Sequence, residues 1–141
     1  MYYAAKVSRE GKYWLAEFRD CPGCQTFASS RAKLEAMAKD ALEGWLAAHL
    51  KYGRVPPEPV SRPPLAGSLR VHVDPALAMA VQIRQQRTRA GLSQDALADR
   101  AGVSQQQVAK LENPKSNPQF RTVEKVARAL NLRLDADLRC A

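Results

Sequence analysis

SQDALADRAGVSQQQVAKLEN, residues 93–113, decides how the second half of this chain folds. Ser93 stands where a helix N-cap belongs, with a hydroxyl able to accept an orphan backbone N–H. Leu97, Ala98 and Ala101 follow at helical spacing. Gly102 then ends the helix in the left-handed conformation that glycine adopts at least cost. Two residues later Ser104 caps again, and Val108 and Leu111 mark the inner face of a second helix.

The second helix divides by face at about 100° per residue. Val108 and Leu111 point inward. Gln106, Lys110 and Asn113 point outward, with Gln105 and Gln107 flanking at the N-terminal end. A helix that reads DNA presents its N-terminal residues to base edges in the major groove. Glutamine suits adenine N6/N7, and lysine suits guanine or phosphate. Three glutamines in a row fit that role better than they fit an ordinary solvated face. Cap, helix, glycine turn, cap and second helix make a helix-turn-helix.

Outward from this motif, Asp74 caps a preceding helix with Pro75 at its first position. That helix carries Leu77, Val81 and Ile83 and ends near Gly91. Arg84, Arg87 and Arg89 crowd its second half, suited either to phosphate contact or to the negative end of the helix dipole. Beyond the motif, Pro114 to Pro118 form a loop. Val123, Val126, Ala127 and Leu130 define a last helix that stops at Asn131. Leu132, Leu134, Ala136 and Leu138 alternate with charged residues, which predicts a short terminal strand able to pair with its copy in a dimer.

Toward the N-terminus the period changes from helical to two. Tyr3, Ala5 and Val7 share one face of a strand, and Trp14, Ala16 and Phe18 share one face of the next, around a turn at Gly11. A second turn spans Asp20 to Gly23, and residues 24–28 form a third strand. Ser29 and Ser30 offer a cap for a helix whose stripe is Leu34, Met37, Ala38, Ala41, Leu42, Trp45 and Leu46. It stops at Gly53, and His49 supplies a favourable charge near its end. Five prolines in residues 54–68 exclude regular structure and favour extended chain. Leu69, Val71 and Val73 then predict a fourth strand returning to the sheet. The fold class is α+β. A β-β-β-α-β domain occupies residues 1–74, including the proline-rich linker at 54–68, and an all-α helix-turn-helix domain occupies 75–141.

The net charge of +8 favours an anionic partner such as nucleic acid. Residues 76–131 hold nine Lys/Arg against four Asp/Glu, and residues 1–64 hold ten against seven, so the surplus is denser in the helical half. No apolar run reaches the ~18 residues of a membrane span, and no leader pattern is present. A cytoplasmic location without membrane contact is expected. Three cysteines, an odd number, argue against a disulfide framework. Cys21 and Cys24 form C-x-x-C, which is compatible with redox chemistry, half a zinc site or a tight turn between strands. No second pair of ligands is in place, so neither metal nor cofactor is expected. The strands offer only Glu17 and Asp20 as acidic candidates, too few to hold catalytic metal, and no catalytic residue is assigned.

Two resemblances add to this reading. Residues 76–131 resemble the lambda-repressor-type helix-turn-helix family through LSQDALADRAGVSQQQVAKLEN and TVEKVARALN. That family often has five short helices. The resemblance implies Gln94 on a phosphate, and Gln105, Gln106 and Lys110 on base edges or nearby phosphates. Ser104, Gln107 and Asn113 complete the expected DNA-binding set. Pro114 departs from the glycine common after Glu-Asn. The N-terminal residues resemble HicB-type antitoxins through FRDCPGCQT, an Ala-rich helix and GRVPPEP. This resemblance implies a degraded RNase H-like domain that inhibits a small RNA-cleaving HicA-type toxin, and a DNA-binding domain that represses the shared operon. A homodimer or higher homo-oligomer on double-stranded palindromic operator DNA would follow. A stand-alone repressor with an N-terminal ligand-sensing domain is the alternative. Toxin-contact residues are not assigned.

Overall fold

The computed structural model describes residues 1–60 and 66–135. Strands β1 (Tyr2–Glu10), β2 (Tyr13–Phe18) and β3 (Gln25–Ala28) precede helix α1 (Arg31–Lys51), and β4 (Leu69–His72) follows it. All neighbouring strands are antiparallel, in the order β3-β2-β1-β4. β4 pairs with β1 from Tyr2 opposite His72 to Ala5 opposite Leu69, so the returning strand is the fourth member of the sheet.

Alternation puts Tyr3, Ala5, Ala16, Phe18, Ala28 and Val71 on the face that α1 covers, and all are buried. Ser30 accepts the Lys33 N–H at 3.3 Å and starts α1. Leu34, Ala38, Leu42, Leu46 and Leu50 recur every four residues and form its buried stripe. Each leucine withdrawn from water contributes about 1.5–3 kcal/mol. Ala5 and Ala16 of the sheet share one core with these leucines. Met37, on the flank of the stripe, is 44% exposed.

The Cys21–Cys24 segment is a turn. Phe18 N–H donates to Cys24 O at 3.0 Å, Cys24 N–H donates to Cys21 O at 2.9 Å, and Gly23 takes the left-handed φ of 80° that the reversal requires. Both thiols are free and buried. Burial raises Cys21 to about 12 and Cys24 to about 11, with the Cys24 and Asp20 charges adding to the shift at Cys21. Thiolate is the reactive form, so this environment opposes redox and metal chemistry. Among the described residues no cluster of His, Cys, Asp and Glu is arranged to hold a metal ion.

Helix α2 (Pro75–Arg89) serves two cores. Asp74 caps it by accepting the Ala76 N–H at 3.0 Å, and the Asp74 N–H itself donates to Glu43 of α1 at 2.8 Å. Leu77, Ala78, Ala80 and Val81 in its first half pack into the sheet core. Ile83, one turn on, packs into a second core with Leu97, Ala98, Val108, Leu111, Val123 and Val126. The second core is closed by α3 (Gln94–Ala101), α4 (Gln105–Leu111) and α5 (Phe120–Ala129). Asn131, with φ of 56°, ends the last helical turn.

Three expectations change. Residues 132–135 form no strand, and the rest of the expected terminal strand lies outside the described residues. Four helices, α2 to α5, build the reading unit among the described residues, where the resemblance implied five. The segment expected to be a linker is docked over residues 54–60, and residues 61–65 lie outside the description. Pro56 is fully buried. The Pro57 carbonyl accepts from the Tyr3 hydroxyl at 2.7 Å, and the Val60 N–H donates to Asp20 at 3.1 Å. Prolines fix the extended course while leaving carbonyls free to accept.

Candidate nucleic-acid interface

The local chemistry of α3 and α4 follows the sequence. Ser93 accepts the Ala96 N–H at 3.0 Å. Gly102 adopts φ of 69°, and the Val103 N–H closes the turn on Ala98 O at 3.1 Å. Ser104 and Gln107 form a reciprocal capping box: the serine hydroxyl accepts the Gln107 N–H at 3.2 Å, and the Gln107 side-chain carbonyl accepts the Ser104 N–H at 2.9 Å. These two residues therefore fix the start of α4. Val108 and Leu111 anchor its inner face, each at most 1% exposed.

Gln105, Gln106, Lys110 and Asn113 are exposed on the outer side of this end of the molecule. The Gln106 and Lys110 side chains have no hydrogen-bond or ion-pair partner among the described residues. Gln105 is held: its amide donates to the Gln94 carbonyl oxygen at 2.8 Å, and the Gln94 amide donates to Glu112 at 3.1 Å. A carboxylate only accepts. Glu112 thus orients the Gln94 amide toward itself and its carbonyl toward Gln105. Gln105 keeps its own carbonyl and one N–H for a further partner, the pair of groups that matches adenine in the major groove. Gln94, assigned to a phosphate by the resemblance, is half-buried and bridges Glu112 to Gln105.

Glu112 is 3% exposed and sits between Arg84 and Arg87 of α2. Arg87 also donates from Nη2 to the carboxylate at 3.1 Å and from Nη1 to Leu92 O at 2.8 Å. Burial alone would raise the Glu112 pKa. The Arg87 hydrogen bond, the Arg84 charge and the Gln94 amide outweigh it and hold the carboxyl below its ordinary range. Arg84 and Arg87 are thereby committed inside the protein, which removes them from the phosphate-contact reading. Arg89 pairs with Glu58 at 2.8 Å. Sequence reasoning missed this cluster: the three-residue spacing puts Arg84 and Arg87 on one helical face, but the acid they share lies 28 and 25 residues away.

The loop carrying Pro114 is closed locally. The Asn113 side chain accepts the Lys115 N–H at 3.0 Å, and the Ser116 hydroxyl donates to the carbonyls of Lys110 and Asn113. Proline in place of glycine is accommodated by these bonds. Beside the loop, a groove of about 250 Å³ runs between α4 and α5, lined by Gln107, Lys110, Asn117, Pro118, Gln119 and Thr122. No helix among the described residues is long and apolar enough to cross a membrane.

Comparison with known proteins agrees with this geometry. The family signature described as helix-turn-helix matches residues 83–136. An uncharacterized HTH-type transcriptional regulator of Archaeoglobus fulgidus is 37% identical over 57 residues, covering 40% of this chain and 81% of that protein. The chain belongs to the helix-turn-helix family, with a DNA-binding module of lambda-repressor type in its C-terminal half.

Proposed function

We propose that this protein is an antitoxin of HicB type. Its sheet unit, residues 1–74, binds and inhibits a small RNA-cleaving HicA-type toxin, and its helical unit, from residue 75 onward, represses the operon by binding palindromic operator DNA. The observation that carries the DNA half is the polar end of α4: Gln105 oriented through Gln94, with Gln106 and Lys110 exposed beside it. A homodimer presents two such ends to successive major grooves, with half-site centres about 10 bp apart or a multiple of that. The exposed Lys and Arg side chains supply salt-sensitive backbone affinity, and the glutamines supply sequence preference.

The toxin half rests on the resemblance of the Asp20–Cys24 turn and the GRVPPEP segment to HicB-type sequences. A degraded RNase H-like origin of the sheet is part of the same proposal. The protein works in the cytoplasm as an inhibitor and repressor. It performs no catalysis of its own and uses no metal or cofactor. Co-expression with the product of the adjacent short gene tests this: the two proteins should co-purify, and the pair should restore growth that the partner alone arrests. Growth arrest unrelieved by this protein would remove the antitoxin reading and leave a stand-alone repressor.

A further inference from the structure

The two segments that carry the N-terminal resemblance, the Asp20–Cys24 turn and the proline-rich strap, meet in space, and the strap also contacts α2. Asp20 accepts the Val60 N–H at 3.1 Å, and the Tyr3 hydroxyl donates to Pro57 O at 2.7 Å. On the other side, Gln85 of α2 donates to Pro56 O at 3.0 Å, and Glu58 pairs with Arg89. Gln85 is 5% exposed and Tyr3 fully buried, so neither bond competes freely with water. Next to Gln85 on the same helix, Arg84 and Arg87 grip Glu112, and Glu112 orients Gln94, which orients Gln105. Hydrogen-bonded contacts, joined through one turn of α2, therefore run from the sheet unit to the exposed amide of Gln105.

We propose that Gln85 is a positioning residue for base reading, through which the strap sets α2 and, by way of Glu112 and Gln94, the orientation of Gln105. This rests on the reading of Gln105 as a base contact and adds to it a structural control from the sheet unit. The physical basis is that Gln94 can satisfy Glu112 and Gln105 together only when the Arg84–Arg87 edge of α2 holds the carboxylate in place. A shift of α2 toward or away from the strap moves that edge. A partner that takes hold of the turn or strap then alters DNA discrimination without touching DNA.

The test uses the full-length protein and two duplexes: one selected by this protein from a random-sequence library, and the same duplex with the base pair under Gln105 replaced. Discrimination is the ratio of the two affinities. Gln85→Met keeps side-chain length and removes the donor. It should lower discrimination about three- to tenfold, in the lower part of the range for residues in one network, while affinity for random duplex stays within about twofold, since phosphate contacts set that affinity. Tyr3→Phe, which deletes only the hydroxyl, should act in the same direction and keeps the test open if Gln85→Met folds poorly. In a Gln105→Ala background, Gln85→Met should have no further effect on the ratio. Unchanged discrimination in both single variants, equal loss on cognate and random DNA, or a full effect of Gln85→Met in the Gln105→Ala background would each overturn the proposal. If Gln105→Ala alone leaves discrimination intact, the base-reading assignment fails first and takes the positioning role with it.

Discussion

Replacing Glu112 with alanine should be among the most damaging single changes in the reading unit. The carboxylate is 3% exposed and accepts from Arg84, Arg87 and Gln94. Removing one partner of a buried ion pair costs about 3–5 kcal/mol, because the opposite charge is left uncompensated. Here two guanidinium groups would be stranded. Their side chains retain 11% and 13% exposure, and Arg87 keeps its bond to Leu92 O, so the expected loss lies near the lower end, about 3 kcal/mol. The loss should also depend on pH. The folded-state pKa of Glu112 is lowered, so its contribution is fully present above the ordinary carboxylate value and fades as pH falls through the folded value. Urea unfolding followed by circular dichroism, at pH 7 and at successively lower pH, measures the gap between wild type and Glu112→Ala. The gap should be largest at neutral pH and shrink in acid. A gap below about 1 kcal/mol at pH 7, within the reach of a surface pair, or one indifferent to pH, would refute the assignment of a buried, ionised Glu112.

Gly102→Ala should destabilise by about 1–2 kcal/mol, because its φ of 69° is costly for any residue with a Cβ; a Cβ there meets nothing within 4 Å, so the loss is conformational and should leave the folded structure unchanged by NMR. Cys21 and Cys24, with pKa values near 12 and 11, should resist alkylation by iodoacetamide at pH 8 in the folded protein and react promptly in urea; rapid labelling without urea would reopen thiol chemistry. Leu46→Ala should cost about 2–5 kcal/mol through the cavity left under α1, and loss of sheet-unit signals in thermal unfolding would show it.

Most elements were legible because their signals are local. Ser93, Gly102 and Ser104 act on their own backbone, and the structure shows each acting as a cap. Alternation in residues 2–18 and the stripe expected from Leu34 to Leu46 also reach only their nearest layer: Tyr3, Ala5, Ala16, Phe18, Leu34, Ala38, Leu42 and Leu46 are buried as expected, whereas Met37 is exposed. What escaped the sequence was long-range pairing. Nothing around Arg84 and Arg87 says that their partner lies at Glu112, 28 and 25 residues away. The prolines of 54–60 announce extended backbone and not the Tyr3 and Gln85 donors that dock it. The division near residue 74 follows a change of period, yet α2 on its far side gives Leu77 and Val81 to the sheet core. Alternation at 132–138 resembled a strand, but over Leu132 to Asp135 the residues are exposed, and among the described residues no neighbouring strand supplies a ladder.

The central claim is that the N-terminal end of α4 reads base edges. Gln106 is exposed there without a partner among the described residues, so its replacement should leave the fold intact. The most direct measurement compares wild type and Gln106→Ala on a selected duplex and on random duplex at one fixed salt concentration. A base-reading Gln106 gives a loss of about 1–3 kcal/mol on the selected duplex and none on random DNA. Equal loss on both would show that Gln106 contacts only the backbone and would contradict the claim.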